Sequence, residues 1–268
     1  MPIPTASTAQ AGHLSGTGRA VRVALLGGFR LLAGNDVLVI PVGSERLLAF
    51  IALHHQAVGR LLVAGTLWSE VSECRAYAAL RSALARMDRA CRGALQVTPL
   101  SLELANGVAV DLRDARALAH RILGGTPSAE ADLSLAAITS LSLDLLPLWY
   151  EDWVLDEAEN WRQLRLHALE TLSGNLTAAG RFGDATAAAA AAVRADPLRE
   201  SAQAALIRVH LAEGNRSEAL RTFDTFSRVL LSDLGLAPTL RLYELVADLL
   251  ELRDAPLRDA GGRPHLGW

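Results

Sequence analysis

Five arginines and one serine, Arg75, Arg81, Ser82, Arg86, Arg89 and Arg92, lie within one short stretch of the chain. The segment from about Cys74 to Arg92 reads as a single helix. With Leu80 at 0° and about 100° per residue, Leu84, Met87 and Cys91 fall within about 40° and Tyr77 within about 60°. On the same count Arg75, Ser82, Arg86 and Arg89 fall between about 180° and 240°. One side is apolar, and the other is arginine and serine. A guanidinium can donate two hydrogen bonds to guanine O6 and N7 in a major groove, and it also grips phosphate with two donors, which lysine cannot do. Ala78, Ala79 and Ala85 keep the neighbouring positions small, which allows close approach to base edges. The chemistry implied is recognition of duplex DNA.

Residue patterns for catalysis are missing. No G-x-S-x-G, H-E-x-x-H, dinucleotide-binding fingerprint or G-x-x-x-x-G-K-[ST] phosphate loop occurs. His54 and His55 are adjacent, so on a helix they diverge and make a poor metal pair; a helix-end histidine bonded to backbone carbonyls is the expected reading. Cys74 and Cys91 have no C-x-x-C partner or histidine set, which argues against zinc. The acids Glu151, Asp152, Asp156, Glu157 and Glu159 read as a solvated face, and Trp149, Trp153 and Trp161 as core anchors. No enzyme activity, cofactor or metal is expected.

Charge is divided along the chain. The 268 residues carry 26 basic groups, all arginine, and 29 acids, for a net −3. From Val21 to Ala115 there are 10 arginines and 8 acids; from Arg116 onward there are 15 arginines and 21 acids. The first part is therefore slightly basic and the second distinctly acidic, which matters for a polyanionic partner. A hydrophobic content of 51% excludes a disordered chain. Two cysteines and no long apolar run point to a cytoplasmic protein with no membrane contact.

The elements around the arginine helix have a recognisable order. Val21–Leu26, Phe29–Leu32 and Val37–Ile40 read as strands, with a turn at Ala33-Gly34-Asn35-Asp36. Ser44 is a candidate cap for a helix running to about His55, and Leu61–Trp68 forms a second helix. After the arginine helix, Leu95–Thr98, Ser101–Ala105 and Val108–Leu112 read as strands, with Asn106-Gly107 as a hairpin turn. Strands, three helices and a terminal hairpin make a winged helix-turn-helix. Beyond Asp111 the texture becomes helical. The strings AAGRFGDA (178–185) and AEGNRSEA (212–219) put Gly180 and Gly214 34 residues apart, and Ala185 and Ala219 likewise. That period indicates tetratricopeptide-like helix pairs. The expected fold is mainly α with a smaller α+β domain. It divides into a flexible tail (1–20), a winged helix (21–112), an all-helical tetratricopeptide-like domain (113–252) and a C-terminal tail (253–268).

Residues 44–92, with Leu67-Trp68, the string Leu80-Arg81-Ser82-Ala83-Leu84, and then Arg86 and Arg89, resemble the OmpR-type winged helix of the SARP regulators (Streptomyces antibiotic regulatory proteins). Val110-Asp111-Leu112 fits the same pattern. Residues 145–170, LLPLWYEDWVLDEAENWRQLRLHALE, resemble the opening of the bacterial transcriptional activator domain that follows it in that family. The likeness continues through Leu234-Gly235-Leu236-Ala237-Pro238 to about Leu250.

The resemblance implies a sequence-specific transcriptional activator that binds repeated promoter elements as side-by-side protomers, a homodimer on DNA, and helps recruit RNA polymerase. It would turn Arg75, Ser82, Arg86 and Arg89 to the DNA, with Arg81 reaching a flanking phosphate. One departure stands out. Asp88 occupies a position that is usually basic in the family, where it would repel phosphate unless it pairs with Arg92 at i+4. That acid and the small positive surplus leave a second reading, a helical-repeat interaction scaffold with weak or lost DNA binding.

Overall fold

The computed structural model describes residues 20–125 and 130–254. Of the tails expected at 1–20 and 253–268, residues 1–19 and 255–268 lie outside the described residues, while 253 and 254 belong to the last helix. Two compact units emerge. Of the described residues, one unit contains 20–23 and Arg30–Ala109; the other contains Ala24–Phe29, 110–125 and 130–254.

The first unit begins with strands β1 (Val21–Ala24), β2 (Arg30–Ala33) and β3 (Asp36–Leu38), followed by helix α1 (Val42–Leu53). A two-residue strand β4 (Val58–Gly59) leads into α2 (Arg60–Leu67) and α3 (Glu73–Arg86). A short α4 (Arg89–Arg92), then β5 (Leu95–Val97), β6 (Ser101–Leu104) and β7 (Ala109–Val110) complete the series. The strands form two sheets, ordered β3-β2-β1-β7 and β4-β6-β5. Helix α1 is the hub, with Leu47 through Leu53 all buried. An α-helix that is apolar all round belongs in a core, and here it packs on α2, α3 and β6.

Three local expectations are corrected. Ser44 does not cap α1: Pro41 occupies the cap position, and the buried Ser44 hydroxyl donates instead to the Ala83 carbonyl at 3.0 Å. Asn106-Gly107 is not a hairpin turn, because β6 pairs with β5 and β4 while β7 joins the other sheet. The hairpin is β5–β6, closed across Thr98 and Ser101. The arginine helix also does not run to Arg92. It ends at Arg86, Met87 is extended (φ −66°, ψ 129°), and Asp88 starts α4 by accepting from the Cys91 amide at 2.7 Å.

The second unit is helical. It comprises α5 (Asp111–Leu123), a 3-10 turn (Glu130–Leu133), α6 (Leu135–Ser142), α7 (Asp152–Ala178) and α8 (Phe182–Ala195). Helices α9 (Glu200–Glu213), α10 (Arg216–Leu234) and α11 (Leu240–Asp254) follow. The 34-residue period is structural. Gly180 and Gly214 both adopt left-handed φ, 71° and 89°, where a side chain would be strained. Each sits in the same bond pattern, Arg181 N to Leu176 O and Asn215 N to His210 O. Ala185 and Ala219 are both fully buried, so α8 and α10 pack closely on their partner helices. Helix α11 closes the stack, with Leu242, Val246 and Leu249 against Phe223, Phe226 and Leu230. Among the described residues no helix is long and apolar enough to cross a membrane.

Segment Ala24–Phe29 is held by backbone pairing within this unit. The Asp111 carboxylate accepts from the Leu25 and Leu26 amides at 2.8 and 3.2 Å, and also from Leu112. Leu146 donates to the Leu25 carbonyl and Gly27 to that of Asp144. The buried Arg165 donates to the Ser142 carbonyl and pairs with Asp144, while Trp161 donates to the Leu143 carbonyl at 2.9 Å. Trp149 and Trp153 meet edge to face, 5.9 Å between centroids.

Candidate nucleic-acid interface

Helix α3 has two faces, as its sequence requires. Ala76, Leu80, Ala83 and Leu84 are buried against the first unit, and Met87 and Cys91 continue the apolar side beyond the helix end. Tyr77 is half-buried. Arg75, Ala78, Arg81, Ser82, Ala85 and Arg86 are exposed, at the i, i+3, i+4, i+7 spacing of one helical side. The expected core stripe is present, and of the expected polar face Arg75, Ser82 and Arg86 lie exposed on α3. Arg75, Arg81 and Arg86 make no ion pair or hydrogen bond among the described residues. Their guanidiniums are open to solvent, with all five donors of each available.

The support beneath this face is built from α1 and α2. The bond from Ser44 to Ala83 O ties the start of α1 to the middle of α3. Beside it lies a depression of about 210 Å³ lined by Ser44, Trp68, Ala79, Ser82 and Arg86. The wing is fixed separately. Arg60, at the start of α2, donates through its backbone to Leu100 O at 2.9 Å and through Nη1 to Thr98 O at 3.3 Å. Thr98 Oγ1 gathers the Leu100 and Ser101 amides, so the β5–β6 turn is tight, with Leu100 standing out at its tip. Arg60 was not singled out by its sequence. Its partners are backbone carbonyls 38 and 40 residues away, and no local pattern reports them.

Arg89 and Arg92 depart from the single-helix phase. The break at Met87 ends α3, so Arg89 belongs to the separate α4; its side chain lies outside the described residues. Arg92 turns back, and its Nη2 donates to the Leu84 carbonyl at 2.9 Å, satisfying a backbone acceptor that the end of α3 leaves open. Asp88 is accounted for by the same break, since its carboxylate caps α4. Burial and the neighbouring Asp88 push the Cys91 thiol up to about 12, which favours the protonated thiol at neutral pH. His54 accepts the expected helix-end role, with Nδ1 2.7 Å from the Phe50 carbonyl. Among the described residues no cluster of histidine, cysteine or acidic side chains is arranged to hold a metal.

The comparisons bear on both units. The family model for the bacterial transcriptional activator domain matches residues 142–250. Among solved structures, that of Mycobacterium tuberculosis EmbR in complex with a low affinity phosphopeptide is similar, with a TM-score of 0.67 and 22% identity. The match covers 87% of this chain, and this chain spans 65% of the length of that one. No curated protein matches the chain.

Proposed function

We propose that the chain, whose residues 142–250 match the family model for the bacterial transcriptional activator domain, is a transcriptional regulator of the SARP type that activates transcription by binding promoter DNA through α3. In this reading residues 21–112 bind the duplex and residues 113–252 meet RNA polymerase in the cytoplasm. Two protomers lie side by side on repeated elements, a homodimer formed on DNA.

The observation that carries the reading is the exposed face of α3. Arg75, Arg81, Ser82 and Arg86 share one side of a helix, and no carboxylate neutralises the three arginines among the described residues. A row of unpaired guanidiniums on a major-groove-sized helix suits base edges and flanking phosphates together. Arg89 and Arg92, on α4, are assigned to the margin of the contact. The acidic balance of the second half favours keeping that part off the duplex.

The test is promoter retention by Arg86→Ala. Loss of one bidentate contact is expected to cost about 1–3 kcal/mol and to relax sequence preference at one position, with thermal unfolding unchanged. Binding of the intact chain should also weaken with salt, log K falling by about 0.9 per phosphate contacted for each unit of log salt. Equal retention by Arg86→Ala, or a salt-independent affinity, overturns the assignment.

A further inference from the structure

In the helical unit, we infer that the groove between α7, α9 and α11 is a docking site for a short acidic peptide segment of another protein, gripped by Arg208 and Arg241. The first helices of successive repeats stand side by side there, and a cavity of about 340 Å³ opens between them. Its floor is formed by the small side chains of Ala204 and Ala205, with the buried Leu242 beneath. Glu200, Ser201, Ala204, Ala205 and Arg208 fall on one side of α9, and Arg241 enters from the start of α11.

The charges of this groove are not mutually satisfied. Glu170 is taken by Arg199 Nε at 2.6 Å and by Ser201 Oγ at 2.8 Å. Glu200 is taken by Thr239, through its backbone amide and its hydroxyl. The two carboxylates at the wall are thus occupied by internal donors. Arg208 and Arg241 make no ion pair or hydrogen bond among the described residues, although seven other arginines of this unit pair with carboxylates. Two exposed guanidiniums over a floor of small side chains suit a ligand with closely spaced carboxylates, since each guanidinium can take a carboxylate with two parallel bonds. A long polyanion suits the site less well, because the surrounding half of the chain carries 21 acids against 15 arginines. Helical repeats use such concave surfaces for peptides.

The experiment uses the full chain and a fluorescein-labelled hexapeptide of alternating glutamate and leucine, followed by anisotropy. Saturable binding that weakens at least tenfold in the double variant Arg208→Gln, Arg241→Gln supports the site, as does loss of binding when the peptide's glutamates are replaced by glutamine. The assignment is overturned by no binding at millimolar peptide, by equal binding of the double variant, or by displacement with an equal concentration of inorganic phosphate. Promoter retention by the double variant stays unchanged, which separates this site from the face of α3.

Discussion

Arginine serves opposite purposes in the two units. On α3 three arginines share an exposed face with no carboxylate among the described residues to hold them. In the helical unit Arg116, Arg121, Arg162, Arg165, Arg181, Arg199 and Arg221 each grip an acid, at Glu157, Asp132, Glu159, Asp144, Asp184, Glu170 and Glu218. Local acid supply separates the two cases. Between Ala76 and Met87 no acid occurs, whereas acids outnumber arginines beyond Arg116. A paired guanidinium fixes structure; an unpaired row of them is a surface waiting for an anion. The lack of lysine in the chain acquires a physical consequence, because every basic group can act as a planar fork.

The contrast can be broken most sharply at Arg165. Its guanidinium is 2% exposed and burial lowers its pKa, opposed by Asp144. Arg165→Met removes the bonds to Ser142 O and Asp144, and because Asp144 is left exposed to water it is expected to cost about 1–2 kcal/mol of stability. Urea unfolding measures it. A loss near zero would mean that paired arginines here are ornaments of the surface, and the distinction between the units would fail.

A smaller effect is expected at Asp88, an acid of the first unit just beyond α3. Asp88→Ala removes the cap of α4 and should lower stability by about 1 kcal/mol. If instead stability holds and DNA affinity rises, Asp88 acts as a repelling charge and its capping role is minor. Thermal melts and retention assays on one preparation separate the two outcomes.

The smallest effect belongs to pH. The Arg162 guanidinium, helped by Gln163, holds the Glu159 carboxyl down to about 2, below its ordinary value of 4.5. Its contribution is therefore complete above about pH 4.5 and is lost as pH falls through about 2. Arg162→Gln should flatten this part of the acid-unfolding curve, with no change at pH 7 in its slope. An identical acid limb in the variant assigns the acid sensitivity to other carboxylates. Asp132, held below the usual carboxylate range by Arg121, is the next group to examine.

Much of the architecture was legible. The apolar phase of Leu80 and Leu84, the seven-residue run Leu47–Leu53 and the spacing of Gly180 and Gly214 are short-range patterns, and each appears in the fold as the element it implied. The misreadings share a cause. Ser44, Asn106-Gly107 and the helix end at Arg86 look ordinary locally, but each was settled by a distant partner or by an alternative local bond. Ala83 claims the Ser44 hydroxyl from 39 residues away, and sheet membership sends β6 and β7 apart. Asp88 offers the Cys91 amide a cap, which competes with continuing the helix.

By itself the sequence determined which side of α3 is polar, where the repeats begin, and how charge divides along the chain. All three depend only on residue order and helical geometry, which act over a few turns. Tertiary structure alone decided which arginines are occupied. Arg92 is turned onto the Leu84 carbonyl and Arg60 onto the wing, while Arg86, Arg208 and Arg241 find no partner among the described residues. A guanidinium's partner is set by whichever acceptor the folded chain brings within about 3 Å, and that proximity is not written in the spacing of residues along the chain.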